Sequence, residues 1–157
     1  MKTTNYFALL LLFVMLGIEI AFSGSAFAQT DMENHTHLTG TNKEIMAHTN
    51  AIASGEAKTR NDMVTHYNEF RKSLVEAKKT HNLLKKVIPS KLMSEAIVHH
   101  DNIDKYFAAA TAHANSMLEE LKNEKPDDVK MRGLGKKIHD DIELAEKEHQ
   151  ALIKDTH

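Results

Sequence analysis

The sequence predicts an all-α protein, an antiparallel four-helix bundle with a short first helix, behind an amino-terminal export segment. Three observations carry this. Apolar residues recur in alternating steps of four and three from Met63 onward. Alanine, leucine, lysine and glutamate are abundant while glycine is held to 6, which suits helices better than sheets. Both prolines, Pro89 and Pro126, stand at breaks in the periodicity, where a helix has to end or begin.

The first 28 residues read as a signal peptide. Lys2 gives a positive start, Phe7 to Ile18 is an apolar run too short for a comfortable transmembrane span, and Ala26-Phe27-Ala28 is a small-x-small cleavage site. Cleavage after Ala28 removes Lys2 and Glu19 together and leaves the net charge of -2 unchanged. The expected address is the periplasm or the exterior, with no stable membrane insertion after cleavage.

Residues 29–40 show no apolar period and read as a flexible leader carrying His35 and His37. The bundle is expected over 41–157. Thr41 and Glu44 fit a capping box, and the short helix it opens carries Ile45, His48 or Thr49, and Ile52 before stopping near Gly55. Asn61 or Asp62 is expected to cap the second helix, whose stripe is Met63, Tyr67, Phe70, Leu74, Ala77, His81, Leu84 and Ile88. Pro89 then breaks the helix, and Ser90 can cap the third.

The third helix runs to about Glu124 with Leu92, Ala96, His99, Ile103, Tyr106, Ala110, His113, Met117 and Leu121 on its seam and His100 on the flank. Pro126, Asp127 and Asp128 suit the first turn of the fourth helix, whose seam is Met131, Leu134, Ile138, Ile142, Ala145, His149 and Leu152. Gly133 and Gly135 weaken that helix locally, so it kinks, starts late, or runs through. A short first helix would also leave part of the seam for a second copy of the chain.

Composition narrows the chemistry. A near-neutral chain of mixed charge has no electrostatic footprint for nucleic acid. The absence of cysteine removes disulfides, thiolate metal sites and thiol nucleophiles together. Histidine, at 11 residues, is the type out of proportion.

Each helical residue rises about 1.5 Å, so counting outward from a turn shows which residues of a hairpin lie level. From Pro89, His81 is eight residues before while His99 and His100 are ten and eleven after. Repeating the count about residues 57 and 125 sorts eight histidines into two levels, His48/His66/His113/His139 and His81/His99/His100/His149. Carboxylates accompany them at helix-neighbour spacing: Glu44 with His48, Asp62 with His66, Glu95 with His99, Asp104 with His100, Glu143 with His139 and Glu146 with His149. Imidazole with carboxylate suits Cu(II), Ni(II) or Zn(II), with Cu(II) bound tightest at an undemanding site. The eight histidines are thus candidate metal ligands. Taken singly, a histidine on an apolar seam is more often a packed residue with a satisfied ring.

The stretch 46–70, MAHTNAIASGEAKTRNDMVTHYNEF, resembles the small metal-binding proteins, histidine-rich helical bundles exported to the bacterial periplasm. Their pattern is matched by His48, Ala51, Ile52, Gly55, Glu56, Asp62, Met63, Val64 and His66. The resemblance implies periplasmic binding of divalent metal, copper above all, in metal buffering or tolerance, and it carries over His48 and His66 as ligands.

The protein is not expected to be an enzyme. A ferritin-like di-iron bundle needs two E-x-x-H motifs, and only Glu146-x-x-His149 is present. A b-type haem between Met46 and His149 is a further alternative. The strongest reading without metal is a helical envelope stress or interaction protein whose histidines respond to pH.

Overall fold

The computed structural model describes residues 31–88 and 93–156, with side chains for all but 93, 95 and 156. The chain divides into two units, Met1–Glu33 and Asn34–His157. Of the first, residues 31–33 are described, and they are helical. The expected signal peptide over 1–28, the Pro89 turn, the Ser90 cap and His157 lie outside the described residues.

Four helices and no strand occur among the described residues: α1 (31–54), α2 (Arg60–Leu84), α3 (Met93–Leu121) and α4 (Asp128–Thr156). Side-chain bonds join α1 to α2 and to α4, α2 to α3, and α3 to α4, as a four-helix bundle requires.

The first helix is not short, and residues 31–40 are helix rather than a flexible leader. Its buried seam is His35, Leu38, Asn42, Ile45, Thr49 and Ile52, steps of three and four in strict alternation. Thr41 is no cap. It lies mid-helix, and its hydroxyl donates back to the carbonyls of His37 and Leu38, both at 3.0 Å. Glu44 accepts from Ser73 of α2 instead of reaching back to Thr41. The argument for a second chain filling a seam left by a short first helix lapses with that helix.

Gly55 ends α1 with φ +80°, a conformation open to glycine, and the Arg132 guanidinium lies where a side chain would have to go. The cap of α2 is Thr59, not Asn61 or Asp62. Thr59 Oγ1 accepts from the Asp62 N–H at 3.1 Å while the Asp62 carboxylate accepts from the Thr59 N–H at 2.9 Å. The buried face of α2 is the expected stripe from Met63 to Leu84, joined by Ser73 and Thr80.

On α3 the seam is rotated by one residue from the expected one over part of its length. Ala96, His100, Ile103, Phe107, Ala110, Ala114, Met117 and Leu121 are buried, whereas His99, Tyr106 and His113 stand at the margin. Phe107 decides this, since it has no hydroxyl to keep wet and is 1% exposed. The helix ends at Leu121, whose carbonyl accepts from Arg60 at 2.7 Å.

Asp127 caps α4 by accepting from the Val129 and Lys130 N–H groups. The helix runs unbroken through both glycines. At Gly135 the reason is proximity, because an added Cβ would stand 3.0 Å from Thr49 O and 3.1 Å from Ala53 N. The backbones of α1 and α4 approach closely enough here that a Cβ would crowd them. The core from Phe70 and Leu74 through Phe107 and Met117 to Ile138 and Ile142 is almost wholly excluded from water, each large side chain contributing about 1.5–3 kcal/mol.

Candidate functional site

Among the described residues, three close histidine–histidine pairs each join two helices. At the α1–α2 turn, His48 Nδ1 lies 3.0 Å from His66 Nδ1, with ring centroids 5.3 Å apart. Both residues are half-buried. At the far end of the bundle, His35 Nδ1 of α1 lies 2.8 Å from His149 Nε2 of α4, the rings nearly parallel at 17°. Between α2 and α3, His81 Nε2 lies 2.8 Å from His100 Nδ1. In each pair one ring N–H donates and the other nitrogen accepts, so no pair holds two charged rings in this geometry.

The sequence levels translate into contacts unevenly. His48 and His66 touch, and so do His81 and His100. His139 donates through Nδ1 to the Met46 carbonyl at 3.2 Å, and His113 Nδ1 sits 2.9 Å from Asp141 Oδ2. These two are near the height of His48 and His66 but face other partners. His99 turns outward to α4, with Nδ1 2.8 Å from Glu148 and Nε2 3.1 Å from Asp155. His37 lies 3.5 Å from Glu76 on α2.

Several expected carboxylate partners are engaged elsewhere. Glu44 holds Ser73, Asp62 closes the α2 cap, and Glu143 pairs with Lys147. The Glu95 side chain lies outside the described residues. Asp104 approaches not His100 but His81, 3.1 Å from Nδ1, and also pairs with Lys85. The His81 contact is a charge contact outside hydrogen-bond geometry. Glu146 stands 3.5 Å from His149 Nδ1 and accepts from Thr39, Asn42 and Gln150.

Environment sets the charge states. Burial pushes His81 down to about 4, against the pull of Asp104, and burial likewise pushes His100 down to about 4 with Lys85 adding to it. Their neighbour His99 moves the other way, held above the usual histidine range by its bond to Glu148. Burial pushes the Glu146 carboxyl up, but the bonds from His149, Asn42 and Gln150 outweigh it and hold it at about 2. At neutral pH His81 and His100 are therefore neutral, the form that binds metal, and Glu146 is ionised.

Two alternatives meet geometric limits. Met46 is level with His139, ten residues from His149 or about 15 Å along the helix, so the two cannot clamp one haem iron. Glu146 is occupied by three donors and has no second E-x-x-H opposite it. Among the described residues no group of three or more histidine, aspartate or glutamate side chains is placed to hold one metal ion. None of the described helices is long and apolar enough to cross a membrane.

His35 is the residue the sequence reading missed as a partner of the others. Its signal is the alternating three-and-four spacing through Ile52, hidden because half of the positions are polar. No family model, curated protein or solved structure matches the chain, so the resemblance of residues 46–70 to the small metal-binding proteins stands on those residues alone.

Proposed function

We propose that this is an exported divalent-metal-binding protein, with copper the best-suited ion, that acts in metal buffering or tolerance rather than in catalysis. The observation that carries the reading is the His48–His66 pair. Metal–nitrogen bonds of about 2.0–2.1 Å place neighbouring imidazole nitrogens about 2.9–3.4 Å apart in square-planar or tetrahedral coordination. The two Nδ1 atoms stand 3.0 Å apart, and because both residues are half-buried, water can fill the remaining positions. Two nitrogens with open positions make an undemanding site, where Cu(II) outbinds Ni(II) and Zn(II). Metal ions are then the partners, and nothing in the charge distribution invites nucleic acid.

Thermal melting with and without Cu(II) at neutral pH tests this. A ligand at a hundred times its Kd adds about 2.7 kcal/mol, so the melting temperature should rise by roughly 5–10 °C. His48→Ala/His66→Ala should remove most of that rise. An unchanged melting temperature in the parent protein would sink the reading.

A second reading, a helical stress or interaction protein answering to acid, is favoured by the His81–His100 pair. Both rings are buried and neutral, so protonation would charge the interior. Acid unfolding indifferent to metal would support it.

A further inference from the structure

We infer that His35, His81, His100 and His149 form one buried layer of the bundle that binds a four-coordinate divalent transition ion. This rests on the metal-binding reading for the class of ligand, and it concerns a second, closed site distinct from the His48–His66 pair.

The four residues come one from each helix, and cross-links fix them at one height. His35 meets His149, and His81 meets His100, both at 2.8 Å. Two residues from His35, His37 approaches Glu76 of α2, five residues from His81. The neighbours of the other two, His99 and Glu148, bond at 2.8 Å. A core layer of a four-helix bundle takes about one inward side chain per helix, and here all four are histidine. Their exposures are 6%, 1%, 2% and 0%, so none of them snorkels to water.

Packing does not explain this choice. Leucine in the same places would gain from burial outright, while imidazoles must be desolvated and matched. The matching is incomplete, since His81 Nδ1 is buried without a hydrogen bond in proper geometry.

The orientation of the rings does point to a ligand. His81 and His149 each direct Nδ1 at a carboxylate, Asp104 at 3.1 Å and Glu146 at 3.5 Å. Each directs Nε2 inward at the partner ring. The charge of a nearby carboxylate favours the proton on the nitrogen that faces it and so favours a lone pair on the other, in the sense that supports metal-bound histidine. Two carboxylates behind the layer also offset the two charges of the ion, which an interior without counter-charge would not accept. In the arrangement described, the inward nitrogens meet as two pairs. Uptake turns the rings so that the pairs converge, and the proton that each pair shares stays on a ring nitrogen facing away from the ion or leaves to solvent. Four nitrogens in a closed site suit tetrahedral Zn(II).

The experiment loads the full chain with Zn(II), passes it over a desalting column with a weak chelator, and measures retained zinc. Co(II) loading in parallel reads the geometry by its visible absorption. We expect one slowly released Zn(II) per chain and an intense tetrahedral Co(II) spectrum, both kept by His48→Ala/His66→Ala and lost by His100→Gln. Replacing all four by leucine should preserve the helical fold and abolish retention, which separates site loss from unfolding. No retained zinc in the parent protein, or retention unchanged in His100→Gln or the leucine variant, overturns the inference. Copper-dependent melting that persists while zinc is not retained would leave the outer-pair reading standing and remove only this one.

Discussion

The pairs that α1 makes at its two ends, His48–His66 and His35–His149, use the same residue type at nearly the same separation, 3.0 and 2.8 Å, in opposite surroundings. The first is half-exposed beside a turn. The second is enclosed, with Thr39, Asn42 and Glu146 arrayed behind it. At the exposed pair either ring can exchange its partner for water, so little stability depends on the contact. At the enclosed pair, loss of the His149 ring leaves a void and an ionised carboxylate with one donor fewer. Burial, more than identity or spacing, decides what each histidine contributes.

The largest expected difference follows from that contrast. His149→Ala should cost about 3–5 kcal/mol, from the cavity and from the charge left under-paired at Glu146. His48→Ala should stay within about 1 kcal/mol. Chemical denaturation of the two variants measures both, and equal losses would break the comparison.

Acid should separate the regions next. His81 and His100 titrate at about 4 in the folded chain and near 6.5 when unfolded, so below 6.5 the unfolded state binds protons that the folded state refuses. Their stabilisation is complete above about 6.5 and is lost as pH falls toward 4, at up to about 1.4 kcal/mol per pH unit for each ring. His99, raised by Glu148, has the opposite sign: its contribution is present below 6.5 and fades as pH rises through its folded value. His100→Leu should flatten the acid limb of a stability-against-pH curve, whereas His99→Leu should not.

A smaller effect probes the contact that seats α1 on α4. Gly135→Ala places a methyl about 3 Å from the α1 backbone and should cost about 1–3 kcal/mol. Gly133→Ala, where a Cβ meets no atom within 4 Å, should stabilise by about 0.5–1 kcal/mol. Thermal melts of the two single variants give the signs directly.

Much of this architecture was legible in the sequence because apolar side chains announce a buried face. The stripe of α4, and that of α2 as far as Leu84, could be read residue by residue, whereas Ile88, expected on the α2 stripe, lies half-buried past the end of that helix. The α1 seam could not, since His35, Asn42 and Thr49 alternate with Leu38, Ile45 and Ile52 and dilute the apolar period. Thr41 misled for a related reason. Its hydroxyl satisfies a backbone carbonyl as readily within a helix as an N–H at its start. On α3 the choice between His99 and His100 turned on Phe107 against Tyr106, two aromatic neighbours that a period alone does not rank. Height along the bundle was readable by counting from turns, which brought His48 to His66 and His81 to His100. Azimuth was not, so Asp104 was assigned to His100 where it serves His81, and His113 and His139 share a height without sharing a partner.

The central claim is that the half-exposed pair takes Cu(II) through two imidazole nitrogens. Electron paramagnetic resonance of the protein with one equivalent of Cu(II) tests it most directly, by nitrogen hyperfine structure. The account predicts a spectrum with couplings from two ring nitrogens that His48→Ala/His66→Ala abolishes. A spectrum identical in that variant, or one indistinguishable from Cu(II) in buffer, would contradict it.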